Sequence, residues 1–129
     1  MEAKDEEVMQ IRQIPKTSWP AFLNGFSSRH QGWLMNLEVF GPDIGAQVEG
    51  KWLVFEGLTD DRMHGDTIMI MAGNKPDGHV THSISRPTEI SLEKTDTGED
   101  ATLSITGKDG NRTLLTFPYA GLSWEADTQ

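Results

Sequence analysis

Apolar and polar residues follow two different rhythms along this chain, and the change falls at Gly32. Before it, Trp19, Phe22, Leu23 and Phe26 sit at i, i+3, i+4 and i+7, the spacing that places them on one face of a helix. The spacing predicts a helix from Ser18 to Arg29. Thr17 and Ser18 are N-cap candidates, and Pro20 falls in the first turn, where its missing N–H costs nothing. Asn24, Ser27 and Ser28 take the other side. A helix this short is marginal alone in water. The aromatic stripe is therefore expected to dock on the rest of the domain rather than on a peptide or a membrane.

After Gly32 the period becomes two, the signature of strands. Trp33, Met35, Leu37 and Val39 share one face of a first strand, Trp33 to Phe40, and Leu34, Asn36, Glu38 and Phe40 share the other. Large apolar groups on both faces imply cover on both sides. Gly41 to Gly45 has turn chemistry. In the next strand, Ala46 to Phe55, Val48 and Trp52 share a parity while Leu53 and Phe55 hold the other, so a bulge is expected near Gly50. Thr59 to Asp66 reads as a polar loop. Thr67 to Ala72 is apolar on both faces, as in a central strand. Further strands are predicted at His79 to Ser85, Thr88 to Lys94, Ala101 to Thr106 and Arg112 to Phe117. Turn signals separate most of them, including the Asp109-Gly110 pair favoured in tight hairpins.

Short connections favour antiparallel neighbours, because a parallel return needs a long crossover. The expected architecture is α+β and mainly β: one N-terminal helix packed on a curved antiparallel meander or small barrel of about seven strands. Residues 1–13 read as a flexible acidic arm, 14–118 as a single globular domain and 119–129 as a C-terminal tail.

Composition narrows the function classes. The 129 residues carry 11 basic and 20 acidic side chains, a formal net charge of −9. That balance argues against nucleic acid and anionic membrane surfaces as partners. The chain has no cysteine, so disulfides and thiolate chemistry are excluded. No apolar run is long enough to span a bilayer, and the acidic N-terminus is unlike a secretion signal. A cytoplasmic setting is expected, and no metal or cofactor is called for by any motif. Phosphate loops, dinucleotide fingerprints, nucleophile elbows, calcium loops and zinc-protease pairs are absent from the sequence.

Five residues stand out as candidate binding groups: His30, Trp33, Glu38, His79 and His82. His79 and His82, three apart on a strand, point to opposite faces and cannot chelate together without a bulge. His82 has Val80 and Ile84 on its own face and is expected to point inward. It is either a buried imidazole bonded to backbone or the polar base of a pocket. His30, at the helix end, suits the negative pole of the helix dipole. His64 lies in the acidic loop and is expected to be solvated. Glu38 and Glu56 sit within apolar strands, on a solvent face or paired.

The segments IPKTSWPAFLNGFSSRHQGWLMNLEV, DIGAQ, HVTHSI and DGNRTLLTF resemble an uncharacterised bacterial family of small proteins known only as a domain of unknown function. The likeness runs from Ile14 to Phe117 and is most specific where Ser27-Ser28-Arg29-His30 leads into Gly32-Trp33-Leu34. It implies a single bacterial domain and carries no reaction or catalytic residue. Two functional expectations follow. The first is a non-catalytic module binding a small molecule or a protein. The second is a small hydrolase or isomerase joining a histidine to a carboxylate such as Glu38. Pairing of an exposed edge strand into a homodimer is a further possibility.

Overall fold

The computed structural model describes residues 10–61, 66–74, 78–95 and 100–118. In chain order the elements are β1 (Gln10–Gln13), a 3-10 turn (Lys16–Ser18), α1 (Trp19–His30), β2 (Leu34–Gly41), β3 (Gly45–Asp61), β4 (Thr67–Asn74), β5 (Gly78–Ser85), β6 (Pro87–Lys94), β7 (Asp100–Gly107) and β8 (Arg112–Thr116). Among the described residues the strands form one antiparallel sheet in the order β1-β6-β7-β8-β2-β3-β4-β5. The sheet does not close, so β1 and β5 are its edges. The curved meander is therefore the form adopted.

α1 begins one residue after the expected start and lays Trp19, Leu23 and Phe26 into the core, with Phe22 half-buried beside them. Ser18 holds the N-cap position, but its side chain makes no capping bond. The turn before the helix is tied instead by the indole of Trp19, whose Nε1 donates to the Ile14 carbonyl at 2.9 Å. The Ile14 N–H donates in turn to the Ile90 carbonyl at 2.8 Å. Lys16 lies over the same indole. A second tie joins helix to sheet. The Leu58 N–H donates to the Ser27 hydroxyl at 2.8 Å, and that hydroxyl donates back to the Leu58 carbonyl at 3.3 Å.

Side chains from neighbouring strands meet in rows across the inner face. Leu92, Leu103, Leu115 and Leu37 form one row, and Leu58, Ile70 and His82 another. This is the parity read from the sequence, with one strand's apolar set meeting the next. β3 is longer than expected and irregular. Between Met35↔Leu53 and Leu37↔Gly50 it carries one residue more than β2, and between Leu37↔Gly50 and Glu38↔Val48 one more again. The expected break near Gly50 is thus a double bulge. Leu53 folds back over Gly50, where an added Cβ would stand 2.7 Å from a Leu53 methyl. Trp52, in the bulge, takes a φ of 57° with its N–H on the Asn36 side-chain oxygen at 2.9 Å. Such bulges coil a hairpin and swing its tip.

Two assignments change with the structure. Gln10–Gln13, placed with the acidic arm by composition, pair with β6 as an edge strand. Thr59 to Asp61, read as loop, continue β3 because they pair with Thr67 to Met69 on β4. His64 lies outside the described residues.

The connection that shapes the molecule is a single residue. β5 and β6 are separated by Arg86 alone, yet they are not neighbours in the sheet. Arg86 has a φ of 50° and turns the chain through a corner. Its N–H donates to the Asp66 carbonyl at 2.8 Å, and its own carbonyl accepts from the Lys108 N–H at 2.9 Å. A β-branched residue is poorly suited to that conformation. We expect Arg86→Val to be about 1–2 kcal/mol less stable than Arg86→Gly in urea unfolding. Equal stabilities of the two variants would show that the corner carries no such constraint.

Candidate functional site

The corner bends the sheet until the edge strand β5 lies against the β7–β8 hairpin. A methyl built on Gly107 would stand 3.2 Å from the Ser85 carbonyl oxygen. The line where β5 meets β8 and β2 is a seam without a backbone ladder. Along it lies a hollow of about 160 Å³ lined by Val39, His82, Ser83, Ile84, Ser85, Asp109, Asn111 and Thr113. His82 points inward, as the parity of Val80 and Ile84 predicts. Its partner is a side chain rather than backbone: Nε2 shares a 3.2 Å hydrogen bond with the hydroxyl of buried Thr113. Burial pushes the His82 pKa below the usual histidine value, and the Glu49 carboxylate acts weakly in the opposite sense.

The other candidates lie elsewhere. His30 is 2% exposed and closes an aromatic cluster at the C-terminal end of α1. Its ring stacks on Phe117 at 4.8 Å between centroids and meets Trp33 edge-on at 4.6 Å. The Phe26 carbonyl can only accept, so His30 Nδ1 carries the proton of their 2.8 Å bond. His30 lies at the helix end as expected, and its imidazole is buried in the core. Trp33 is half-buried in the same cluster. His79 is on the outer face, 3.4 Å from Glu56, with side chains 73% and 41% exposed. An ion pair that open to solvent adds little to stability.

Glu38 lies on the outer face between Leu114 of β8 and Val48 of β3. The sheet itself separates it from His82. The structure thus does not bring His30, His79, His82 and Glu38 together, and no group of three or more potential metal ligands occurs among the described residues. Convergence of imidazole and carboxylate was the geometry the hydrolase or isomerase expectation required.

What the sequence did not single out is the outer face around Glu38. Across β6, β7 and β8 run Ser91, Ser104 and Leu114, with Glu93, Thr102 and Thr116 in the adjoining row. These residues, with Ile11 and Arg112, line a hollow of about 300 Å³. A second hollow of about 370 Å³ adjoins it through Arg112 and is bordered by Phe40 and Pro42. Beyond them on the β2–β3 hairpin stand Val48, 54% exposed, and Trp52, 45% exposed. The outward parity of these residues was visible in the sequence. Their adjacency was not, since it depends on β8 pairing with β2.

Among the described residues, one helix on a single curved antiparallel sheet, an α+β domain that is mainly β, is the class these features define. Residues 10–120 match the family described as a family of unknown function (DUF5335), and the chain belongs to that family. It is similar to an uncharacterized protein of Aquifex aeolicus (strain VF5), 31% identical over 107 residues, which are 83% of this chain and 91% of that protein. No solved structure matches. No helix among the described residues is long and apolar enough to cross a membrane.

Proposed function

We propose that the protein is a non-catalytic module that binds a partner protein through the outer face of β6, β7, β8, β2 and β3. The observation that carries this is the pair of adjoining hollows, which meet at Arg112 and are lined in part by Phe40, Leu114 and exposed Ile11. Their size supports the outer face over the seam hollow. Ligand sites run from about 300 Å³ upward, which the outer hollow reaches and the 160 Å³ seam hollow does not. Apolar side chains left exposed together on one face are a feature of interaction surfaces.

Charge sets the partner's chemistry. Glu38, Glu89 and Glu93 project from this face with Arg112 among them, on a chain of net charge −9. A segment carrying lysine or arginine between apolar side chains fits both the hollows and the field. The test is a phage-displayed library of short peptides, selected on wild-type protein in competition with Leu114→Asp. Enriched peptides should carry basic and apolar residues, change Trp52 fluorescence on binding, and bind Leu114→Asp at least tenfold more weakly. An Asn24→Asp control on the exposed side of α1 should bind as wild type does. Peptides that bind both variants equally, or that are acidic, overturn the reading. So does a stable dimer in light scattering that buries this face, which would make a second copy the occupant.

A further inference from the structure

We infer that the His82–Thr113 contact is an acid-sensitive latch, which holds the edge strand β5 against β8 and releases it when the imidazole takes up a proton. The inference is independent of the outer-face reading, since it concerns the opposite side of the sheet.

The geometry is specific. Among the described residues, β5 has a backbone ladder on one side, to β4. On its other side, the corner end is pinned by the bond from the Lys108 N–H to the Arg86 carbonyl. Further along, the tie across to β8 is the 3.2 Å bond between His82 and Thr113. Thr113 sits in the row Ile105–Thr113–Val39, flanked by apolar groups that offer a cation nothing. β4 presents Ile70 opposite His82, and β2 presents Val39. The charged groups on this side are Glu49 on β3, Asp109 in the β7–β8 turn, and Asp60 on β3, one row away across Ile68 from Ile84.

Burial dominates over the Glu49 attraction, so the neutral ring is the form the closed seam favours. With the folded pKa below the unfolded value of 6.5, the unfolded or open chain binds more protons in the window beneath 6.5. Closure is therefore complete above that pH and weakens as pH falls toward the lowered folded pKa. A protonated imidazole regains water by swinging out of the seam, and Gly78 to His82 then keep their ladder to β4 and the exposed His79–Glu56 pair.

Amide exchange tests this on the full chain, corrected for the intrinsic pH dependence of exchange. Between pH 7.5 and pH 5, protection of residues 78–84 should fall at least tenfold, while that of β6, β7 and β8 should fall much less. His82→Gln should remove the difference between the two pH values. If His82→Gln fails to fold, Thr113→Ser should keep the pH response and Thr113→Val should lose it. A proton NMR titration should place the His82 pKa below 6.5. A pKa at or above that value, a uniform loss over all strands, or an unchanged pH response in His82→Gln would each overturn the latch.

Discussion

Phe26→Ala is expected to destabilise the protein by about 3–5 kcal/mol, the range for truncating a fully buried phenylalanine. Phe26 is fully buried, at 0% exposure. Its ring meets Phe55 at 5.9 Å edge-on, Phe117 at 5.9 Å and His30 at 4.2 Å. Removing it empties the centre where α1, β3 and the end of β8 meet, and rigid strands on two sides cannot collapse into the space. Phe22→Ala, one turn earlier and half-buried, should cost clearly less. Urea unfolding of both variants checks the order. Equal costs, or a Phe26→Ala cost near zero, would mean the helix is not docked by this face.

Ser27→Ala is the second large effect, about 1–3 kcal/mol from a donor left without a partner. The register passes from Phe55↔Ala72 to Gly57↔Met71, so β3 carries an extra residue at Glu56. β2 begins at Leu34, opposite Val54, so the part of β3 beyond it has no β2 ladder to bond. Here the Leu58 N–H is taken up by Ser27 from the helix. Gly57 lies beside that contact, where a Cβ would stand 3.6 Å from the Ser27 hydroxyl, an ordinary packing distance. Ser27→Thr, which keeps the hydroxyl, should recover most of the loss. If Ser27→Ala melts at the wild-type Tm, the Leu58 N–H is satisfied in another way.

The helix and its seven long strands were legible because each holds one period over enough residues to show it. The inward turn of His82 was legible for the same reason, from Val80 and Ile84 on either side. β1 was not, because QIRQ offers one apolar residue in four positions and becomes a strand only by pairing with β6. The strand order was hidden by Arg86. A one-residue connection ordinarily joins neighbours, but a left-handed residue at a corner sends β6 away from β5. The seam neighbours Thr113 and Asn111, and the outer row through Leu114 and Glu38, were illegible for that reason. The burial of His30 was not legible because its stacking partner, Phe117, lies at the far end of the chain.

Pairing between β2 and β8 also sets when the protein can fold during synthesis. Leu37 meets Leu115, and Phe117 completes the ring cluster around Phe26 and His30. A nascent chain that has released α1 and β2 from the ribosome must wait for β8 before those rings are covered. Until then its greasy nucleus stays open to chaperones, and a message truncated before Arg112 yields a product with nothing to shut it.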